Sequence, residues 1–205
     1  MSPSVAELYS GDAQHPWREL GFTIEEDRCR IGTTEIVFRD GPPGIHGWAM
    51  RDAEQSTFGP ISTTIIESPV PPVGPVHTNS AVALHHLVLM VPEFELGRQA
   101  LIAAGVTVDS GKPFGPENRK LLRVAPRMGD FELELIGPVK QDHSKNWELW
   151  GLVIVVNDID ATKNYLGDLI GEVKPALQPH RRIATVNKSA GIGTAIAFLG
   201  REETL

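Results

Sequence analysis

Residues 84–105, LHHLVLMVPEFELGRQALIAAG, and residues 149–171, LWGLVIVVNDIDATKNYLGDLIG, repeat one pattern: apolar strand, acidic turn, amphipathic helix, glycine. Leu87 and Val88 answer Leu152 and Val153, Val91 answers Val156, and Glu93, Phe94 and Glu95 answer Asp158, Ile159 and Asp160. The offset is a constant 65 until the second helix takes one extra residue. Self-similarity at a fixed spacing identifies the building unit of a chain. It also separates what both copies keep from what only one keeps. The sharpest difference is His86 in the first copy against Gly151 in the second.

Each copy reads on as βαβββ. In the first (81–140), His85–Val91 is a strand and Phe94–Ala104 an amphipathic helix carrying Phe94, Leu101 and Ile102. Gly105 stands where a helix C-terminal glycine belongs. Strands are expected at Val106–Val108, Lys120–Val124 and Phe131–Ile136. In the second (147–201), the strand Leu149–Val156 and the helix Asp160–Ile170 precede strands at Val173–Ala176, Arg182–Asn187 and Thr194–Leu199. Together these units make a domain over 81–205.

Residues 53–80 read as a linker centred on PVPPVGP (69–75), whose four prolines exclude a helix or a central strand and favour an extended, polyproline-like path. Residues 1–52 hold strand-like EIVF (35–38) and IHGWAM (45–50), and WRELGFTI (17–24) resembles ALIAAGVTV (100–108). This stretch is expected to be a partial third unit lacking its first strand, because the residues before Trp17 do not read as β. The alternative is an unrelated extension packed on the core.

A tandem βαβββ pair resembles the vicinal oxygen chelate superfamily, with its glyoxalases, extradiol dioxygenases and bleomycin-resistance-like proteins. HHLVLMVPEFE (85–95) is similar to its first-strand signature, FELELIGP (131–138) to its closing strand, and QPHRRIATVNKSAGIGTAIAFLG (178–200) to the end of a bacterial glyoxalase-like subfamily. The resemblance implies an α+β fold: tandem βαβββ units in a cup-shaped mixed sheet, helices outside and the site within the cup. It also implies metal ligands on the first and last strands of each unit, here His86 and Glu134.

Alternation puts His86, Val88 and Met90 on one face of their strand, with His85, Leu87 and Leu89 on the other. Glu132 and Glu134 share a face opposite Leu133 and Leu135. An imidazole with carboxylates suits zinc, iron, nickel or manganese. The second unit breaks the pattern: Gly151 replaces the histidine, and Ala195 and Ala197 align with Glu132 and Glu134. Half of a four-ligand set remains, whereas a catalytic metal usually takes three protein ligands. His180 and His143 sit in loops. The reading favoured here is therefore a metal-free pocket in which His86 and Glu134 are relics or hydrogen-bond each other; a divalent metal is the alternative. Among the basic residues, Arg119, Lys120 and Arg123 lie in one unit and Arg181–Arg182 in the other; Arg123 is expected either to point inward, as a counter-ion or an anchor for a substrate oxyanion, or to be a solvated charge at the sheet edge. Trp150 is expected on the helix side, in the core, and Trp48 and Trp147 at the pocket rim or in packing.

The 205 residues carry a net charge of −7, which argues against non-specific nucleic-acid binding. No apolar run reaches the roughly 20 residues a membrane span needs. The N-terminus does not read as a signal peptide, and a lone Cys29 suits a reducing, cytoplasmic setting. GxGxxG, P-loop, GxSxG, HExxH and CxxC motifs do not occur. Three functions remain open. One is a binding protein holding a small, largely apolar ligand among His86, Val88, Met90, Arg123, Glu132, Glu134, Val153 and Ala197. The second is a metal-dependent lyase, isomerase or dioxygenase using His86 and Glu134. In the third, the N-terminal stretch fills the cup or pairs with a second subunit as a homodimer.

Overall fold

The computed structural model describes residues 3–54, 56–115, 121–124 and 126–201, without the side chains of Phe114, Leu121, Leu122, Arg123, Val124 and Arg201. Among the described residues, fourteen strands join one mixed sheet. Four successive stretches follow one plan. The first holds β1 (Ser4–Ser10), α1 (Gln14–Glu19), β2 (Arg28–Ile31) and β3 (Thr34–Phe38). The second holds β4 (Ile45–Arg51), β5 (Thr57–Phe58) and β6 (Ile61–Ile65), with no helix among its described residues. The third holds β7 (Ala81–Met90), α2 (Phe94–Ala103), β8 (Lys112–Phe114), β9 (Leu121–Val124) and β10 (Glu132–Pro138). The fourth holds β11 (Glu148–Val156), α3 (Ile159–Leu166), β12 (Lys174–Pro175), β13 (Arg181–Thr185) and β14 (Ala195–Arg201).

In every unit the first and last strands lie side by side and parallel: β1–β3, β4–β6, β7–β10 and β11–β14. First strands then pair antiparallel, β1 with β4 and β7 with β11. One pairing, Ile45 with Leu149, joins the two halves. The N-terminal stretch thus differs from the sequence reading. Ser4–Ser10 is the first strand that the sequence reading leaves out, and the expected linker contains β5 and β6. The reason is a register shift between Val5 and Glu7, which sets Val5 and Leu8 together in the core and hides the alternation of β1. Val106–Val108 does not pair as a strand; Val106 is buried in the core and β8 forms later, at Lys112–Phe114.

Local chemistry explains the helices of the repeat. Asp158 caps α3, accepting from the amides of Asp160 and Ala161 at 2.9 Å each. Glu93 precedes α2 without a side-chain cap. Gly105 ends that helix region at φ +84°, a conformation glycine adopts freely. The helix-side faces of all four units contribute to one core, which includes Trp17, Trp48, Phe58, Leu87, Leu152 and Phe198. Phe22 of the first unit stacks on Phe198 of the fourth at 6.0 Å.

Two buried polar residues fasten the halves. Asp12, 8% exposed, accepts from the amides of Gly44 (2.8 Å), Gly193 (2.8 Å) and Thr194 (3.1 Å), the Thr194 hydroxyl (2.6 Å) and the Trp17 indole (3.2 Å). His77 is 2% exposed; its Nδ1 accepts from the Thr23 amide at 3.0 Å, so Nε2 carries the proton and donates to the Arg30 carbonyl at 3.0 Å. Burial lowers the His77 pKa, partly offset by the bond to Arg30. A second proton would meet the Thr23 amide head-on. The contribution of His77 is therefore complete above its ordinary pKa of 6.5 and declines as the pH falls below it. Melting curves from pH 8 to 5 are expected to show a smaller acid-side loss in His77→Gln, whose amide accepts and donates without titrating; equal slopes would remove His77 from this role.

Candidate functional site

β7 and β10 place His86 opposite Glu132 and Val88 opposite Glu134, with Ile136 opposite Met90. Leu87, Leu89, Leu133 and Leu135 are in the helix-side core, so His86, Val88, Met90, Glu132, Glu134 and Ile136 share the other face. His86 and Glu134 are each 7% exposed, and His86 Nε2 lies 3.7 Å from Glu134 Oε2. His85 joins them. β11 pairs Val153 with His86 and Ile154 with Leu84, so β7 carries one residue more than β11 at His85. That bulge turns His85 off the helix side, and its Nδ1 lies 2.8 Å from His86 Nδ1. The expected placement of His85 opposite His86 is corrected accordingly. The chemistry this trio offers is a partly buried pair of bonded imidazoles with a carboxylate at ion-pair distance from His86.

The fourth unit repeats the register with different side chains: Gly151 opposite Ala195 and Val153 opposite Ala197. Val153 and Ala197 cluster with Leu199, flanked by Ala176 and Ile183. A Cβ built on Gly151 would lie 2.6 Å from the Ala195 carbonyl oxygen, so the backbone there leaves no room for a histidine. The first unit uses the same register for Glu7 opposite Glu35. These carboxylates hold arginines: Arg28 bonds Glu7 at 2.9 Å and also reaches Glu35, and Arg30 bonds Glu35 at 2.6 Å. Burial pushes the Glu35 pKa up, but Arg30 and Arg28 outweigh it and hold it below the usual range. Sequence reasoning missed this pair because β1 was not recognised.

A resident metal fits this set poorly. His86 and Glu134 supply two donors, and among the described residues no three His, Cys, Asp or Glu side chains form a group able to hold a metal ion. His143 and His180 are exposed in loops. Arg119, Lys120 and the Arg123 side chain lie outside the described residues. Arg182 faces α3, where its Nη1 bonds Asp160 at 3.0 Å and holds that carboxylate's pKa down. Alternation leaves Arg181 with Ile183 on the opposite face.

Trp150 departs from expectation. β7 pairs Leu89 with Leu149 and Val88 with Gly151, making Trp150 the extra residue of a second bulge. It is 48% exposed, not core. It overhangs a cleft of about 950 Å³ that begins at Met90 and Ile136 and continues past Pro138, Lys140 and Lys145. Trp48 is fully buried, its indole donating to Thr63 at 2.7 Å. Trp147 is partly buried against Phe58, 6.0 Å away.

No protein-family model matches the chain, and no curated protein matches it. Among solved structures, a variant of 4-hydroxymandelate synthase from Streptomyces coelicolor is similar over 100% of this chain and 93% of its own, with a TM-score of 0.62 at 16% identity. Methylmalonyl-CoA epimerase from Mycobacterium tuberculosis matches 60% of this chain and 91% of its own, with a TM-score of 0.45 at 13% identity. A methylmalonyl-CoA epimerase from Streptomyces coelicolor matches 60% and 100%, with a TM-score of 0.45 at 12% identity.

Proposed function

We propose, for a chain that has the vicinal oxygen chelate fold, that its third and fourth units bind a small, largely apolar molecule on the sheet face opposite the helices. The observation that carries this reading is the asymmetry of that face. One half holds His86 and Glu134, each 7% exposed; the other is lined by Val153, Ala197 and Leu199. Such a surface buries an apolar body and hydrogen-bonds one polar atom, the usual design of a small-molecule site. Met90 and Ile136 lead outward to Trp150, whose exposed ring offers a stacking surface at the mouth. His86 Nε2 and Glu134 are the groups a ligand hydroxyl or carbonyl would meet.

A thermal-shift screen of aromatic and apolar compounds tests it, because a ligand of the folded state at a hundredfold excess over Kd stabilises by about 2.7 kcal/mol. A hit is expected to lose about tenfold in affinity in His86→Ala and in Trp150→Ala, roughly 1.4 kcal/mol each. A broad library without a shift counts against the reading. Stoichiometric metal in the purified protein, lost in His86→Ala, would replace it with the metal-dependent one.

A further inference from the structure

Residues 66–77 run from β6 toward β7 outside the sheet, and from Pro69 to His77 their exposure has a period of three. Pro71, Gly74 and His77 turn inward, while Pro69, Pro72 and Pro75 form one outer ridge and Val70, Val73 and Val76 another. The valines are 61%, 72% and 62% exposed. Three residues per turn is the period of a polyproline helix. The segment is fastened along its length. Arg51 donates to the Ser68 carbonyl at 2.7 Å and the Pro69 carbonyl at 3.3 Å. The Gly74 amide donates to Gly32 at 2.8 Å, and a Cβ on Gly74 would lie 2.6 Å from the Arg30 carbonyl oxygen. His77 anchors the far end. This is a pre-ordered strap without a charge from Ser68 to Val76, so docking it costs little further ordering.

The same chain carries a surface of matching chemistry. A groove of about 520 Å³ is lined by Trp147, Trp150, Pro42, Pro60, Ile61 and Pro92. Aromatic-lined grooves are what polyproline segments dock on. The strap does not fill its own groove: it leaves β6 at the end where Ile65 pairs with Met50, whereas the groove opens beside Ile45, at the other end of β4. We propose that the Ser68–Val76 strap of one copy docks in the Trp147–Trp150 groove of a second copy. Two such contacts made reciprocally close a twofold dimer.

Sedimentation equilibrium of the full chain tests this. The expected mass rises with concentration from 22.4 kDa toward twice that value. Val73→Asp puts a charge on the strap and Trp150→Ala opens the groove; each is expected to weaken association at least tenfold. Both positions are exposed, and circular dichroism is the check that the variants fold. Mixed together, they are expected to associate more tightly than either alone, because intact strap meets intact groove once per pair. A constant mass of 22.4 kDa, a Val73→Asp chain that associates like the parent, or a mixture no tighter than its parts overturns the proposal.

Discussion

Asp12→Ala is expected to lower the melting temperature by roughly 10 °C, about 4 kcal/mol for a chain of this size. The carboxylate takes hydrogen bonds from Gly44, Gly193, Thr194 and Trp17, and so fastens the loop after β1 to the start of β4 and of β14. Removing it strands several buried donors at once, and each unsatisfied one costs about 1–3 kcal/mol. Burial alone would raise the Asp12 pKa, but the Thr194 hydroxyl, the two glycine amides and the indole outweigh it and hold it below 3.8. A lowered carboxylate pKa contributes stability that is complete above the unfolded value and is lost as the pH falls through the folded one. The gap between parent and Asp12→Asn is therefore expected to be widest at neutral pH and to narrow below about pH 4. Calorimetry at several pH values measures it, and a shift of a degree or two in Asp12→Ala would contradict the clamp.

Gly151→His, the substitution that would restore the ligand-type residue to the fourth unit, is expected to destabilise by about 3 kcal/mol or more and to bind no metal. The obstacle is the first side-chain atom: a Cβ meets the Ala195 carbonyl oxygen at 2.6 Å and the Ala195 Cβ at 2.9 Å. Backbone cannot rotate aside as a flexible side chain can, so the pairing of β11 with β14 must open. Gly151→Ala is expected to carry most of the same cost, measured by chemical denaturation. An alanine variant as stable as the parent would mean that the glycine marks only a vanished ligand.

The repeat, its helices and the pairing of His86 with Glu134 on one face were legible because each rests on a local period. Alternation over 86–90 and 132–136 is uninterrupted, and the turn glycine and acidic cap sit beside the helices they bound. What stayed hidden lies at three one-residue insertions. At Ala6 the register shift breaks the alternation of β1, so Val5 and Leu8 fall at a spacing that does not suggest a strand. At His85 it brings to His86 a side chain that alternation sends to the other side. At Trp150 it turns a ring expected in the core out to solvent.

The sequence by itself determined the βαβββ unit, the positions of α2 and α3, and the contrast between a unit with His86 and Glu134 and one with Gly151 and Ala197. These follow from residue types acting within a few positions of one another. Only the tertiary structure decided that the stretch from β1 to β6 forms two further units, that Asp12 fastens the halves, that His85 belongs beside His86, and that Gly151 has no room to be anything else. A bulge exists only against a partner strand, and a buried carboxylate is satisfied only by donors that the folded chain brings from up to 182 positions away.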